Sequence, residues 1–444
     1  MEGLIHKPTA VINRVAAGRS DMVGYHRFLK NESVNQELMM ESHYGYISGK
    51  VSGEDLICIQ DTTEYNYQHH SGLIGSDELG TISNGISLGL RVHPVLVTDA
   101  KDGFAYGLSS LQILNRQGQS RDKFERKYNT LPIEEKESNR WLVAIEESKK
   151  RLSKARSLTF VSDRESDIYQ LWSRVPDERT HLVIRSSFLR KFTDIEDQTE
   201  ITPFSPLTVL GQTKITLPAR AEKRTKSREA LLELSVQQVW TLKPATLRQQ
   251  KDNKDPDRIA LTMVAVKEII PPDSTITDPV TWFLLTDLPV NSLEEALNVV
   301  NIYKKRWHIE QLFRLSKKKG FALEESQLER AHSLENLIAL VFIAAIRIYQ
   351  MVSSRHNQDR SGTDIFDQDE LDLLEKLRPG LEGRTERSKN KNKLHNLAYY
   401  LWVVARLGNW KPEDRDPPGP ITFKRGWETL KSYRRVAALH SNTG

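Results

Sequence analysis

Residues 291–320 read NSLEEALNVVNIYKKRWHIEQLFRLSKKKG, and what they encode decides what the rest of the chain must supply. Strong helix formers fill the stretch, Asn291 or Ser292 can cap its start, and Gly320 stands where a left-handed stop would be placed. One long helix ending at Gly320 is therefore predicted. At about 100° per residue with Tyr303 as zero, Arg306 falls at about −60°, Glu310 at about −20°, Arg314 at about +20° and Lys317 at about −40°. These five polar groups share one stripe, while Leu297, Ile309, Leu312 and Leu315 point to the far side, flanked by Ile302 and Phe313. Glu310 stands among seven basic residues: Lys304, Lys305, Arg306, Arg314, Lys317, Lys318 and Lys319. A solvated helix with an Arg306–Glu310 ion pair at i,i+4 accounts for part of this pattern, at a few tenths of a kcal/mol. One carboxylate among so many cations is an odd stripe for a merely solvated surface.

The spacing Tyr303-x2-Arg306-x3-Glu310-x6-Lys317 resembles the Y-R-E-K signature of one family of bacterial insertion-sequence DDE transposases. A signature of that kind asks for two more carboxylates upstream.

Composition bounds the answer more loosely. A chain of 444 residues, 38% hydrophobic and 28% charged, suits a globular protein of one large domain with insertions or of two to three units. A net charge of +5 and pI near 9.0 are only mildly basic, so composition by itself establishes no nucleic-acid partner. The single cysteine, Cys58, lies in an apolar run, excludes an intramolecular disulfide or cysteine-based zinc site, and reads as a buried thiol. The start MEGLIHKPTAVINRV shows no charged-then-apolar leader, and the longest apolar run, Leu337 to Ile346, is short for a bilayer before Arg347. A cytoplasmic, nucleoid-associated protein without a membrane partner is expected.

Along the chain, short helical segments are predicted around Ala10 to Ala17 and Met22 to Lys30. Leu56-Ile57-Cys58-Ile59-Gln60 reads as a buried strand that ends at Asp61-Thr62-Thr63. Extended stretches follow at Ser87 to Thr98 and Gly103 to Asn115, then a helix near Asn139 to Lys154. Leu158-Thr159-Phe160-Val161 is a further buried strand delivering Ser162-Asp163-Arg164-Glu165-Ser166-Asp167. His181 to Ser187 is a fifth. Three strands, a helix and a strand, with aspartates ending the first and fourth strands, is the order of a ribonuclease H-like core. Such a core sets those two ends side by side and brings a later helix, here the one with Glu310, against them. The fold class is thus α/β, a ribonuclease H-like core with a β-rich insertion and helical terminal regions.

The expected domains are a short helical DNA-binding region at 1–50, the first part of the core at 51–190, and a β-rich insertion at 191–280. The remainder of the core follows at 281–352, and a helical region at 353–444. Basic clusters in the insertion (Arg220, Lys223, Arg224, Lys226, Arg228) suit either a solvated hairpin or a ribbon that tracks phosphates. A polar connection at 353–383 precedes the basic run Arg384 to Lys393, a helix near 394–407 and an amphipathic helix from Arg425 to Leu439. The last helix serves either dimerisation or packing on its own core.

Phosphodiesters resist attack because their charge repels nucleophiles and their leaving oxygen is poor. Two divalent cations about 3.5–4 Å apart answer both difficulties. Mg2+ or Mn2+ takes hard oxygen ligands, which three carboxylates from three elements provide. Asp61, Asp163 and Glu310 form the candidate catalytic and metal-holding set, with Glu165 and Asp167 competing with Asp163 as helix caps. The adjacent His69 and His70 cannot face the same way on a regular element and are read as structural.

Carried over residue by residue, the resemblance matches Asp61, Asp163 and Glu310 to the family's three carboxylates. It matches Tyr303, Arg306 and Lys317 to contacts with end-DNA phosphates, with Arg314 and Arg185 joining them, and Trp282 to an aromatic that stacks a flipped base. Gly24-Tyr25-His26-Arg27-Phe28-Leu29-Lys30-Asn31 resembles the close of the family's N-terminal DNA-binding region, with less preceding it than is usual. The resemblance implies a homodimer on double-stranded DNA that cuts and pastes a transposon through a hairpin intermediate. A ribonuclease H-like nuclease without strand transfer uses the same carboxylates, and a catalytically silent DNA-binding inhibitor is the reading from another class.

Overall fold

A computed structural model describes residues 9–70, 72, 74, 78–116, 131–189, 191–217, 227–250, 253–270, 276, 278–317, 320–414 and 416–441. Its strands are β1 (Asp55–Gln60), β2 (Thr63–Asn66), β3 (Gly89–Asp99), β4 (Ala105–Leu114), β5 (Ser157–Ser162), β6 (Thr180–Arg185), β7 (Phe192–Asp194), β8 (Glu200–Ile201), β9 (Thr208–Leu217), β10 (Arg228–Leu242), β11 (Arg258–Glu268) and β12 (Thr281–Thr286). Its α-helices are α1 (Ile12–Val15), α2 (Arg19–Lys30), α3 (Gln36–Lys50), α4 (Asn139–Arg151), α5 (Tyr169–Arg174), α6 (Ala245–Arg248), α7 (Leu293–Lys304), α8 (Trp307–Ser316), α9 (Ala331–Ser353), α10 (Gln368–Leu381), α11 (Leu397–Leu407) and α12 (Pro420–Ser441).

All twelve strands belong to one sheet, in the order β2-β3-β1-β5-β6-β12-β11-β10-β7-β8, with β4 on β3 and β9 on β10. The mixed α/β architecture agrees with the sequence reading. β1 runs antiparallel to β3 and parallel to β5, which is parallel to β6. Apolar residues explain the buried centre: Cys58, Ile59, Phe160, Val161, Leu182 and Val183 are all inaccessible to solvent. Burial also pushes the Cys58 thiol well above its usual range, as expected of an inert core cysteine.

The β-rich insertion does not make a sheet of its own. β12 pairs with both β6 and β11, so the strands from β7 to β11 extend the same sheet. Alternation of polar and apolar residues within 191–280 predicts strands but not their partner, because side-chain period is the same in either sheet. Arg228 forms an ion pair with Glu268, whose side chain is 2% exposed, so this member of the basic cluster is a structural tie and not a free phosphate contact. Arg220, Lys223, Arg224 and Lys226 lie outside the described residues.

The largest departure from expectation is in residues 291–320. Two helices replace the single one: α7 begins with a capping box between Ser292 and Glu295, and α8 starts after a break at Lys305-Arg306. At the break, Arg306 N bonds to Tyr303 O (2.9 Å) and His308 N to Lys305 O (2.9 Å), an i,i+3 pattern that tightens one turn. No proline or glycine signals it. Side chains there bond outward instead, Lys305 to the carbonyl of Ala100 and Arg306 to Asp61. α8 ends at Ser316, and Gly320 is not a left-handed stop. A Cβ at Gly320 would lie 1.7 Å from the Leu315 carbonyl oxygen, so close backbone approach requires glycine there.

Other differences are smaller. β2 and α3 were not foreseen, and α10 occupies much of the stretch read as a polar connection. α9 runs through Arg347 for 23 residues and is long and apolar enough to cross a membrane; 72% of its apolar window is buried in the protein. α12 packs on its own chain: Phe423, Trp427 and Leu430 are buried, and Lys431 and Arg434 reach Glu370 at the start of α10 (2.6 and 3.3 Å).

Candidate active site

β1 and β2 lie end to end along one edge of β3, with Gln60 opposite Val95 and Thr63 opposite Val92. Asp61 and Thr62 fill the gap between them, facing His93 and Pro94. Proline has no N–H to offer a ladder, which favours a break at this point. Ile59 is in register with Val161 of β5. Two residues further on, the parallel register brings Asp61 level with Asp163, each just past the carboxyl end of its strand.

Glu310 approaches on α8. That helix is fixed by Ile309, Leu312 and Leu315, all buried, and by its last residue, Ser316, which hydrogen-bonds the Tyr65 hydroxyl on β2. His308 packs edge-on against Tyr349 of α9 at 5.9 Å. Burial of an apolar stripe, amphipathic as predicted, thus aims the carboxylate.

Two of the three carboxylates meet one guanidinium, and Asp163 acts on it only through its charge. Arg306 donates to Asp61 Oδ2 at 2.9 Å and forms an ion pair with Glu310 Oε1. Burial, together with the like charges of Asp163 and Glu310, lifts the Asp61 carboxyl to about 6, although Arg306 and the Thr62 N–H pull the other way. For Arg306, burial opposes the charge, and Tyr303, Glu310, Asp61 and Asp163 together overcome it.

Asp163 is separated from its competitors. Asp167 is committed to the fold, accepting from Ser187 N (2.9 Å), Ser187 Oγ (3.1 Å) and Trp172 Nε1 (3.3 Å). Glu165 pairs with Arg140 at 3.2 Å. Asp163 itself caps the short turn Arg164–Ser166 through one oxygen.

Not all of the predicted stripe stays together. Tyr303 is only 6% exposed and sits edge-on to Trp282 at 5.4 Å, within the electrostatic reach of Arg306, Arg185 and Asp163. Burial raises its hydroxyl pKa, which the two arginines partly offset. Arg185 donates to the Thr281 carbonyl at 3.1 Å. Arg314 is exposed on α8. Lys317 lies past the end of α8 in extended conformation, its Nζ 5.6 Å from the centre of the Tyr65 ring, so a continuous helical stripe from Tyr303 to Lys317 is not formed. Lys318 and Lys319 lie outside the described residues.

The donor set suits a hard divalent cation in its chemistry: three carboxylates, one of them raised by burial and, to a lesser degree, by its like-charged neighbours, in need of positive charge. Among the described residues no three His, Cys, Asp or Glu side chains are drawn together as a ready metal cage. Arg306 supplies the neutralising charge between Asp61 and Glu310.

Residues 133–347, a little under half of the chain, match the family model described as the transposase DDE domain. The match supports the class of DDE transposases. It contains Asp163 and Glu310, while Asp61 lies ahead of it. Among solved structures the chain is similar to the piggyBac transposase in a synaptic complex with hairpin DNA, at 9% identity and a TM-score of 0.33 over 81% of this chain. The aligned part spans about half (53%) of that protein, and at this score the likeness carries no argument.

Proposed function

We propose that the protein is a metal-dependent DNA transposase whose ribonuclease H-like core cuts transposon ends through a hairpin intermediate and joins them to target DNA. The observation that supports this reading is that Asp61 and Asp163 stand level at two adjacent parallel strand ends while Arg306 ties Asp61 to Glu310 of a later helix. Asp61, Asp163 and Glu310 are the residues that would hold Mg2+ or Mn2+. Two such cations would lower the pKa of the attacking water or hydroxyl and stabilise the leaving oxygen of an in-line displacement.

The chain's own groups do the rest. Arg306 neutralises Asp61 and Glu310 while substrate is absent, and a DNA phosphate is the natural competitor for its guanidinium. Arg185, Tyr303, Arg314 and Lys317 contact backbone phosphate, and Trp282, half-buried beside Tyr303, offers an indole face for an extruded base. Water first frees a 3′ hydroxyl, which attacks the opposite strand; water reopens the hairpin, and the free 3′ end joins target DNA. Each step is the same displacement with a different nucleophile, so one site serves all four, in a homodimer on the two ends.

The test is incubation with Mg2+ or Mn2+ and labelled double-stranded DNA carrying the inverted repeat beside the gene, resolved on a denaturing gel. Nicks, a hairpin band and joined products, all lost in Asp61→Asn, Asp163→Asn and Glu310→Gln with DNA binding retained, are expected. Nicking of arbitrary DNA without joining would establish a nuclease instead. Binding without cleavage would leave an inhibitor.

A further inference from the structure

Asp61 Oδ1 accepts a hydrogen bond from the N–H of Thr62 (2.7 Å), and Asp163 Oδ1 accepts one from the N–H of Glu165 (2.9 Å). The side chains of those two donors meet on one guanidinium. Arg140 Nε donates to Thr62 Oγ1 at 3.0 Å and Nη2 to Glu165 Oε2 at 3.2 Å, while Nη1 donates to the Glu137 carbonyl at 3.0 Å. Behind Thr62, its hydroxyl lies 2.9 Å from His93 Nδ1, and His93 Nε2 lies 3.3 Å from Gln60 Oε1. Arg140 donates to Thr62, and a consistent continuation has Thr62 donate to His93 Nδ1 and the neutral ring donate to Gln60 Oε1, which leaves the buried Gln60 Nε2 without a partner among the described residues. Burial and the nearby Arg140 and Arg91 keep that ring uncharged.

Arg140 is an unusual choice at its position. It occupies the first turn of α4, where the helix dipole disfavours positive charge, and its side chain is 7% exposed. Neither helix propensity nor solubility accounts for a buried cation there. Its rigid, planar fork instead bridges the two loops that follow β1 and β5.

We infer that Arg140 is a positioning residue that sets the separation of Asp61 and Asp163 by gripping the residues whose N–H groups orient both carboxylates. The inference rests on the proposed metal-dependent function, because carboxylate spacing matters most where a ligand set must hold its geometry to about 0.5 Å. Arg140 touches neither DNA nor the reacting atoms in this role.

The test is Mn2+ binding to the full-length protein on inverted-repeat DNA, read from the electron paramagnetic resonance signal of free Mn2+, alongside melting temperature and single-turnover cleavage. Arg140→Lys keeps the charge but cannot span both loops. It is expected to weaken Mn2+ binding by about 10- to 100-fold, as loss of an outer-shell partner does, with DNA binding unchanged. Glu165→Gln is expected to weaken it less, and the Arg140→Lys/Glu165→Gln double variant to bind no worse than Arg140→Lys alone. Wild-type Mn2+ affinity and cleavage in Arg140→Lys, in a protein whose Asp61→Asn variant has lost both, would overturn the inference and leave the function standing. Should Asp61→Asn bind Mn2+ and cleave as the wild type does, the functional reading fails, and the inference with it. If Arg140→Lys does not fold, Thr62→Val and Glu165→Gln decide the matter, since both leave the guanidinium in place: weakened Mn2+ binding supports the role, and wild-type binding in both excludes it.

Discussion

Arg306 donates a hydrogen bond of 2.9 Å to Asp61, a residue 245 positions away in the chain, and its other terminal nitrogen meets Glu310 on the following helix. The Asp61 and Arg306 side chains are each only about a fifth exposed, at 20% and 21%. The guanidinium therefore fastens the α7–α8 break to the gap between β1 and β2. Arg306→Met is expected to cost about 1–3 kcal/mol, below the range for a fully buried pair because some solvent remains. The Arg306→Met/Asp61→Asn double variant should recover part of that loss, since the more buried of the two carboxylates that Arg306 pairs with is then neutral. Thermal melts of the three proteins check this, and a double variant no more stable than Arg306→Met would refute it.

Asp61 also makes stability depend on pH. Its carboxyl titrates near 6 in the folded protein against an ordinary value of 3.8. Between those pH values the folded state holds a proton that the unfolded chain has released, so rising pH removes stability across that window. The melting temperature of Asp61→Asn relative to wild type is expected to climb from pH 4 to pH 6 and then level off. A difference that does not change with pH would contradict the assignment.

Gly320 closes the turn after α8, where Phe321 N bonds to Leu315 O at 2.7 Å and Ala322 N to Lys317 O at 3.1 Å. A methyl group cannot fit 1.7 Å from that same Leu315 oxygen. Gly320→Ala should cost about 1–3 kcal/mol as the backbone shifts, and the disturbance should reach Glu310 through α8. Unchanged melting in Gly320→Ala would show that the turn yields freely.

Glu370 joins the C-terminal helices. Its side chain is 2% exposed, completes a capping box with Asp367, and faces both Lys431 and Arg434 of α12. Glu370→Ala removes the Glu370 half of the capping box, its acceptance from the Asp367 N–H, and both ion-pair contacts, an expected loss of about 2–4 kcal/mol. Hydrogen exchange should accelerate in α12 and in the first turn of α10. Acceleration confined to α10 would mean that α12 is held by its apolar residues alone.

Lys317 lies just past the end of α8, with its ammonium 5.6 Å from the centre of the Tyr65 ring. Lys317→Ala should weaken DNA binding at every sequence alike and lower the slope of log K against log salt by about one, measured by fluorescence anisotropy. An unchanged slope would remove Lys317 from the phosphate contacts.

The sequence by itself determined the elements that bury apolar residues: β1, β3, β4, α4, β5 and β6 lie where alternation or apolar runs put them, because those signals are local. It also singled out Asp61 and Asp163 as strand-end residues and Glu310 by its spacing from Tyr303 and Arg306. Tertiary structure decided the rest. The break at Lys305-Arg306 carries no proline or glycine and follows from bonds to Ala100 and Asp61, partners more than two hundred residues away. Asp167 and Glu165 could be told from Asp163 only by their partners, Ser187 and Arg140, which the fold brings to them. Arg140 was legible only as a cation misplaced in a helix's first turn. Propensity and periodicity report on neighbours along the chain, while these choices rest on which distant groups end up within hydrogen-bonding distance.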